Sequence, residues 1–219
     1  ANFLNAETLA GGSLGNTFKI QAGGSLSGNL MGGSGLADKV DYSSYGKQVV
    51  IDLGTNKTTA VTGTMTNIEQ ATGSSSISDQ LIGASITNSW LINGANVVHI
   101  NGKFQGNSFE NLKGGAGADT FSVFVSQAVS GTVDGGTGTD VLSYSSHSAA
   151  VTVNLATKKA PGMNAFTGIE SVTYGATDMA QAKQLFADWW TKPRKSHHRF
   201  CFFVTGSAAN FARHAAAVL

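Results

Sequence analysis

The sequence predicts an all-β fold, a right-handed parallel β-helix or β-roll solenoid with a short helical C-terminal cap. Two nine-residue segments, 114–122 and 135–143, both fit the pattern G-G-x-G-x-D-x-U-x, in which U is apolar. A longer unit of about a hundred residues occurs twice in tandem, and short runs of alternating apolar and polar residues lie between clusters of Gly, Ser, Thr and Asn. Repetition at both scales indicates stacked coils that bury one continuous core.

The longer repeat divides the glycine-rich part of the chain into two units. The segment that begins at Glu110 aligns with the segment that begins at Glu7 at an offset of 103 residues, and later segments align at offsets of 102 and 101. Residues 1–175 are therefore predicted to form one solenoid of two tandem units, 5–107 and 108–175.

Short alternating runs within the units predict half-buried strands. Examples are residues 120–125 and residues 151–155, the second of which aligns with residues 49–53. The two nonapeptides begin 21 residues apart, which is longer than two consecutive nonapeptides. We therefore expect a looser β-helix with roll-like turns rather than a pure β-roll.

The composition changes sharply near residue 176. Residues 1–175 contain 8 lysines and 11 acidic residues, and they hold 27 of the 28 glycines, whereas residues 176–219 contain 6 basic and 2 acidic residues. Thr177-Asp178 has the character of a helix cap and precedes spaced apolar residues. Residues 176–219 are predicted to be a basic, partly helical cap that covers the open end of the solenoid.

The overall composition excludes several classes of protein. Only 12% of the residues are charged, and there is no long apolar run, so neither charge-driven disorder nor a membrane span is predicted. The single Cys201 cannot form an internal disulfide. Few aromatic residues are interleaved with the basic residues of 192–199, so nucleic acid is not expected as a partner.

The nonapeptides predict a calcium site. Calcium is a hard cation that prefers oxygen ligands, and a glycine-rich turn can direct several main-chain carbonyls and one carboxylate towards one point. The carboxylates are those of Asp119 and Asp140, and each precedes a short predicted strand.

Both nonapeptides, together with Trp90–Asn96, Leu142–Ser146 and Phe166–Glu170, resemble the haemolysin-type, or RTX, calcium-binding repeat family. The resemblance is closest to long bacterial adhesin-like surface proteins. It implies one Ca²⁺ between successive turns, held by the motif aspartate and by the carbonyls of the first and third motif residues. The matching positions are Asp119, Asp140, Gly114, Ala116, Gly135 and Thr137.

The first unit departs from this pattern. Asn16 replaces the motif aspartate, Leu14 replaces the third glycine, and Asp38 comes one position late. Asp38 is the metal ligand expected in this unit. The resemblance also implies an extracellular or bacterial cell-surface location, reached by type I secretion.

Three functions are compatible with these features. The favoured one is a non-enzymatic structural or adhesive module whose folding is coupled to Ca²⁺ and whose further partner is an extracellular glycan or a cell-surface ligand. The second is a calcium-dependent esterase, lactonase or polysaccharide-degrading enzyme, in which Asp140 and His147 share a site with the ion. The third is a carbohydrate-binding module that exposes Trp90 and the tyrosines for stacking.

Overall fold

The chain folds as a β-solenoid. The computed structural model describes residues 7–35 and 37–175, and the regular secondary structure of these residues is entirely β. Strands from successive coils stack on one another, mostly in parallel. The predicted all-β solenoid is therefore confirmed. The predicted helical cap and the basic tail, residues 176–219, lie outside the described residues.

The described part of the chain contains eighteen short strands. In chain order they are β1 (Leu9–Ala10), β2 (Thr17–Lys19), β3 (Leu30–Met31), β4 (Lys39–Asp41), β5 (Val50–Asp52), β6 (Lys57–Thr58), β7 (Met65–Thr66), β8 (Gln70–Thr72), β9 (Gln80–Ile82), β10 (Ser89–Gly94), β11 (Val97–Ile100), β12 (Phe104–Asn107), β13 (Asn111–Lys113), β14 (Thr120–Val123), β15 (Thr132–Asp134), β16 (Val141–Tyr144), β17 (Ala165–Thr167) and β18 (Ser171–Tyr174).

These strands form three sheets along the solenoid. Their orders are β1-β3-β7, β17-β15-β13-β9-β5-β6 and β18-β16-β14-β10-β11-β12-β8-β4-β2. Most neighbours are not consecutive in the chain, because a parallel neighbour is reached only after a full coil.

The longest sheet reverses direction at its centre. Strand β11 is antiparallel to β10 and β12, whereas β12 is parallel to β8 and β10 is parallel to β14. Asn101 and Gly102 connect β11 to β12 with φ angles of 54° and 63°, as Asn-Gly does in tight hairpin turns. The hairpin thus joins earlier coils to later coils within one sheet. The unit limits, 5–107 and 108–175, stay a prediction.

Apolar side chains in register fill the interior. One column contains Trp90, Phe121 and Leu142, and the rings of Trp90 and Phe121 stack with centroids 5.1 Å apart. A second column, in the six-stranded sheet, contains Leu81, Leu112, Val133 and Phe166. All seven side chains are buried. Each contributes about 1.5–3 kcal/mol, so every coil is stabilised by the coils on either side.

Two aligned segments differ in structure. Residues 49–53 contain β5, whereas residues 151–155 contain only an isolated bridge from Asn154 to Lys159. Strand β5 pairs with β9 of a following coil, whereas no strand is assigned within residues 151–155. The strand predicted there is therefore wrong. The strand predicted at 120–125 is confirmed as far as Val123.

Within residues 7–35 and 37–175 we find no helix with the length and apolarity that a membrane crossing requires.

Candidate metal centre

The glycines of the two nonapeptides turn the chain just ahead of the strands. Gly115 and Gly117 have φ angles of 113° and 134°, and Gly136 and Gly138 have φ angles of 94° and 140°. An L-residue is strained in this region, whereas glycine is not. The turns place Asp119 immediately before β14 and the next motif aspartate immediately before β16.

A turn that ends in Asn or Asp immediately before a strand recurs along the solenoid, and we call each such segment a rung. The rung that ends at Asp79 leads into the six-stranded sheet, and the others lead into the nine-stranded sheet. The rungs are residues 11–16, 32–38, 73–79, 83–88, 114–119 and 135–140. Four of them end in an aspartate whose side chain is 0% exposed, and these residues are Asp38, Asp79, Asp119 and Asp140. A fully buried carboxylate requires hydrogen-bond donors or a cation.

Hydrogen bonds connect the rungs into carboxylate ladders. In the longest ladder the backbone N–H of Asn88 donates to Asp119 Oδ1, that of Asp119 to Asp140 Oδ1, and that of Asp140 to Glu170 Oε2, each at 2.7 Å. The linked residues are 31, 21 and 30 positions apart. Each carboxylate thus fastens its own coil to the preceding one.

Two shorter ladders follow the same rule. One runs from Asn16 through Asp38 to Glu69, and the other runs from Val49 through Asp79 to Glu110. Every ladder therefore ends in a glutamate.

The three terminal glutamates were not predicted from the sequence, although a signal for them exists. Each follows Ile or Phe, and the residue before that has a positive φ: Asn67 (52°), Ser108 (57°) and Gly168 (56°). The repeated Ile-Glu and Phe-Glu pairs would have located them.

The second oxygens of the buried aspartates are satisfied unequally. Among the described residues, Oδ2 of Asp38, Asp119 and Asp140 is buried without a hydrogen-bond partner. Oδ2 of Asp79 instead accepts from the backbone N–H of Ser74. A buried acceptor without a donor costs about 1–3 kcal/mol, so three of the four aspartates lack a group that the fourth has.

A glycine packs closely against each unpaired oxygen. A Cβ built on Gly114 would lie 2.3 Å from Asp119 Oδ2 and 2.2 Å from the carbonyl oxygen of Gly135. A Cβ built on Gly135 would lie 2.6 Å from Asp140 Oδ2 and 1.8 Å from the carbonyl oxygen of Gly168. A carboxylate oxygen and a carbonyl oxygen thus lie close to each other beside each glycine, and oxygen atoms are the ligands that a hard cation prefers.

The first unit repeats this arrangement. A Cβ on Gly32 would lie 2.7 Å from Asp38 Oδ2 and 1.7 Å from the carbonyl oxygen of Asn67. The late position of Asp38 in the sequence therefore does not remove it from the ladder.

The electrostatic environment opposes ionisation of these carboxyl groups. Burial raises the pKa of Asp119, and the negative charge of Asp140 raises it further, against hydrogen bonds from Asn88 that lower it. Burial also raises the pKa of Asp140, with contributions from the charges of Glu170 and Asp134. Without a cation, a column of stacked carboxylates is thus unfavourable in its charged form.

The main-chain carbonyls that the resemblance implies as calcium ligands have different neighbours in the structure. That of Gly135 lies beside Asp119 Oδ2, as expected. The carbonyl of Gly114 accepts a hydrogen bond from Asn88 Nδ2 at 3.2 Å, and that of Thr137 accepts one from the N–H of Gly117 at 2.9 Å. Ala116 pairs with Thr137 in an isolated parallel bridge.

Main-chain oxygens would have to complete any metal site here. No group of three His, Cys, Asp or Glu side chains suited to one metal ion occurs in the described ranges. The carbonyls of Gly168 and Asn67, which sequence reasoning missed, are available beside the unpaired carboxylate oxygens.

The catalytic pair considered from the sequence is not assembled. Nε2 of His147 lies 3.0 Å from the carbonyl oxygen of Val123, and its ring packs edge-on against Tyr144. Asp140 is fully buried, and neither a hydrogen bond nor an ion pair joins it to His147, two residues that the structure describes. The geometry around His147 is that of a packed turn.

The prediction that Trp90 is exposed for stacking on carbohydrate is wrong. Trp90 is 0% exposed and stacks on Phe121 inside the solenoid. Tyr42 and Tyr144 are also buried, and each donates its hydroxyl to a main-chain carbonyl at 2.6 Å, that of Thr59 and that of Pro161 respectively. These aromatic residues stabilise the core.

Comparisons with known proteins found no matching family model, no matching curated protein and no matching solved structure.

Proposed function

We propose that this protein is a calcium-binding β-solenoid of the haemolysin-type repeat class, a secreted or cell-surface module with a structural or adhesive role. The observation that carries the proposal is the set of buried Oδ2 atoms of Asp38, Asp119 and Asp140, which face main-chain carbonyls without a donor. An arrangement of oxygen atoms alone, with one negative charge from each rung, favours Ca²⁺ over softer metals.

The residues that would hold the ions come in three sets. Asp119 acts with the carbonyl of Gly135, and Asp140 acts with the carbonyl of Gly168. In the first unit, Asp38 acts with the carbonyl of Asn67. Each set combines oxygen atoms of two neighbouring coils, so an ion would connect those coils as the backbone ladder does.

Calcium binding would be coupled to folding because the ligands are distant in sequence. Linked rungs of the longest ladder lie 21 to 31 residues apart, and the unfolded chain does not bring them together. A free Ca²⁺ concentration one hundred times the dissociation constant adds about 2.7 kcal/mol of stability for each site. A cell that keeps its free calcium low would then export a loosely folded chain, which folds outside.

The direct test is thermal unfolding of the chain, followed by far-ultraviolet circular dichroism in EGTA and in millimolar CaCl₂. We expect Ca²⁺ to raise the melting temperature by about 5 °C or more for each site, and Mg²⁺ at the same concentration to do less. Identical melting curves in EGTA and CaCl₂ would rule out calcium-coupled folding. A glycan array tests the adhesive role separately.

A further inference from the structure

The side-chain amide of Asn88 lies inside a cage of oxygen atoms. Its Nδ2 atom is 2.8 Å from the carbonyl oxygens of Ala84 and Ile86, 3.2 Å from that of Gly114, and 2.8 Å from Asp119 Oδ1. We call these four atoms the Asn88 cage. An amide nitrogen carries two hydrogens, so the cage supplies more acceptors than the amide can satisfy with linear bonds. Such a surplus of oxygens is typical of a cation site.

The orientation of this amide is determined by the central hairpin. Asn101 Nδ2 donates to Asn88 Oδ1 at 3.0 Å, and Asn101 Oδ1 accepts from the N–H of Ser89 at 2.8 Å. The oxygen of Asn88 therefore faces the hairpin, and its nitrogen faces the cage. The side chain is 1% exposed, so water does not compete for these contacts.

The amide occupies the place that a carboxylate oxygen takes in the next rung. A Cβ on Gly83 would lie 3.1 Å from Asn88 Nδ2 and 2.3 Å from the Gly114 carbonyl oxygen. One rung later, a Cβ on Gly114 would lie 2.3 Å from Asp119 Oδ2 and 2.2 Å from the Gly135 carbonyl oxygen. In the 83–88 rung an amide donor therefore faces a carbonyl. In the 114–119 rung a carboxylate acceptor faces a carbonyl.

The same substitution occurs at the start of the first ladder. Asn16 Nδ2 is 2.5 Å from the carbonyl oxygen of Leu14, 3.1 Å from that of Gly32 and 2.8 Å from Asp38 Oδ1. Two ladders therefore begin with an asparagine whose nitrogen is surrounded by oxygens, and both end in a glutamate.

We propose that the Asn88 cage is a divalent-cation site that the amide keeps closed, because the hydrogens on Nδ2 engage the oxygens that would otherwise bind the ion. The inference rests on the proposed function insofar as the aspartate rungs bind Ca²⁺. The ladder would then hold its ions only at Asp119 and Asp140, between an amide at one end and Glu170 at the other. Asn16 would close the first ladder in the same way.

The substitution Asn88→Asp would open the site. The new carboxylate has the shape of the amide, and its Oδ1 still accepts from Asn101 Nδ2. Its second oxygen would lie beside the Ala84, Ile86 and Gly114 carbonyls and Asp119 Oδ1, so an added ligand oxygen replaces the side-chain donor and leaves these oxygens to a cation. In EGTA this variant should be less stable than the wild type, and Ca²⁺ should reverse the loss.

The test is the calcium stoichiometry of the full chain, measured by equilibrium dialysis for the wild type, Asn88→Asp and Asn154→Asp. We expect one additional Ca²⁺ per chain in Asn88→Asp and no additional ion in Asn154→Asp. The control adds the same charge at an exposed turn, where Asn154 Oδ1 accepts from the N–H groups of Ala156 and Thr157. An unchanged stoichiometry in a folded Asn88→Asp chain would overturn the inference.

The wild-type measurement separates this inference from the proposed function. A wild type that binds no Ca²⁺, beside an Asn88→Asp chain that binds one, would refute the proposed function and support the closed site. If Asn88→Asp does not fold even with Ca²⁺, Asn16→Asp decides, because Asn16 Nδ2 also lies among oxygen atoms and the residue is partly exposed. One additional ion in Asn16→Asp supports the inference, and none overturns it.

Discussion

Asp79 precedes β9 of the six-stranded sheet and Asp119 precedes β14 of the nine-stranded sheet. Each is the last residue of its rung, yet their carboxylates are satisfied in different ways. Both are fully buried, and both accept a backbone N–H from the preceding coil, that of Val49 or that of Asn88. Asp79 also accepts from the N–H and the hydroxyl of Ser74. Asp119 Oδ2 has no partner among the described groups.

The difference follows from the turn that precedes each aspartate. The 73–79 rung contains four serines after its first glycine, whereas the 114–119 rung contains glycine and alanine there. A serine turn supplies its own donors, and the glycine turn leaves Asp119 Oδ2 without one. The solenoid thus has one rung type that is complete without an ion and another that is not.

The largest expected effect comes from the close packing of the first glycine of each rung against a carbonyl oxygen of the next coil, which both rungs share. A Cβ on Gly73 would lie 2.1 Å from the Ser108 carbonyl oxygen, as close as a Cβ on Gly114 to that of Gly135. Gly73→Ala and Gly114→Ala should each destabilise the chain by about 3 kcal/mol, because the clash is with backbone atoms. Chemical denaturation in CaCl₂ measures this loss.

Gly12→Ala is the matched control for these two variants, since no atom lies within 4 Å of its built Cβ. It should change stability by less than about 0.5 kcal/mol. If Gly114→Ala is as stable as Gly12→Ala, the close stacking of rungs over glycine is not present in solution.

Asparagine substitutions at Asp119 and at Asp79 should distinguish the two rungs most clearly, because they should change stability in opposite directions. In EGTA, Asp119→Asn should stabilise the chain by about 1–3 kcal/mol, because the new Nδ2 donates to the Gly135 carbonyl as Asn88 does to Gly114. Asp79→Asn should destabilise it by a similar amount, because both Asp79 oxygens accept backbone N–H groups and one would be replaced by a donor.

Melting curves of both variants in EGTA and in CaCl₂ measure these changes. Asp119→Asn should also weaken the calcium response, whereas Asp79→Asn should leave it intact. Equal destabilisation by the two substitutions in EGTA would show that Asp119 has a donor in solution.

A smaller effect is expected from pH, because a proton supplies one donor where an amide supplies two. Burial raises the pKa of Asp119 and Asp140 in the folded chain, so the folded state retains protons that the unfolded state loses. Without calcium, their contribution to stability is greatest below the ordinary value of 3.8 and falls as the pH rises through the raised pKa values.

The measurement is the difference in unfolding free energy between the wild type and Asp119→Asn, in EGTA, as a function of pH. The stabilisation by the amide should grow as the pH rises. A difference that is constant with pH would mean that Asp119 titrates alike in the folded and unfolded chains.

Much of the ladder could be predicted from the sequence. The nonapeptides located Asp119 and Asp140 before strands, and the repeat located Asp38, because glycine turns and apolar alternation act over a few residues. The roles of Glu170 and the Gly168 carbonyl were missed, because their partners lie in another coil and the repeated Ile-Glu and Phe-Glu pairs do not by themselves reveal those contacts.

The sequence by itself determined the solenoid, its turns and the residues that precede its strands, since these depend on backbone conformation and on the period of apolar residues. Only the tertiary structure decided that Trp90 is buried against Phe121 and that the Oδ1 atoms of Asp119 and Asp140 accept N–H groups of the preceding coil. These outcomes depend on what the adjacent coil presents, and that coil is some 21 to 31 residues away in the chain.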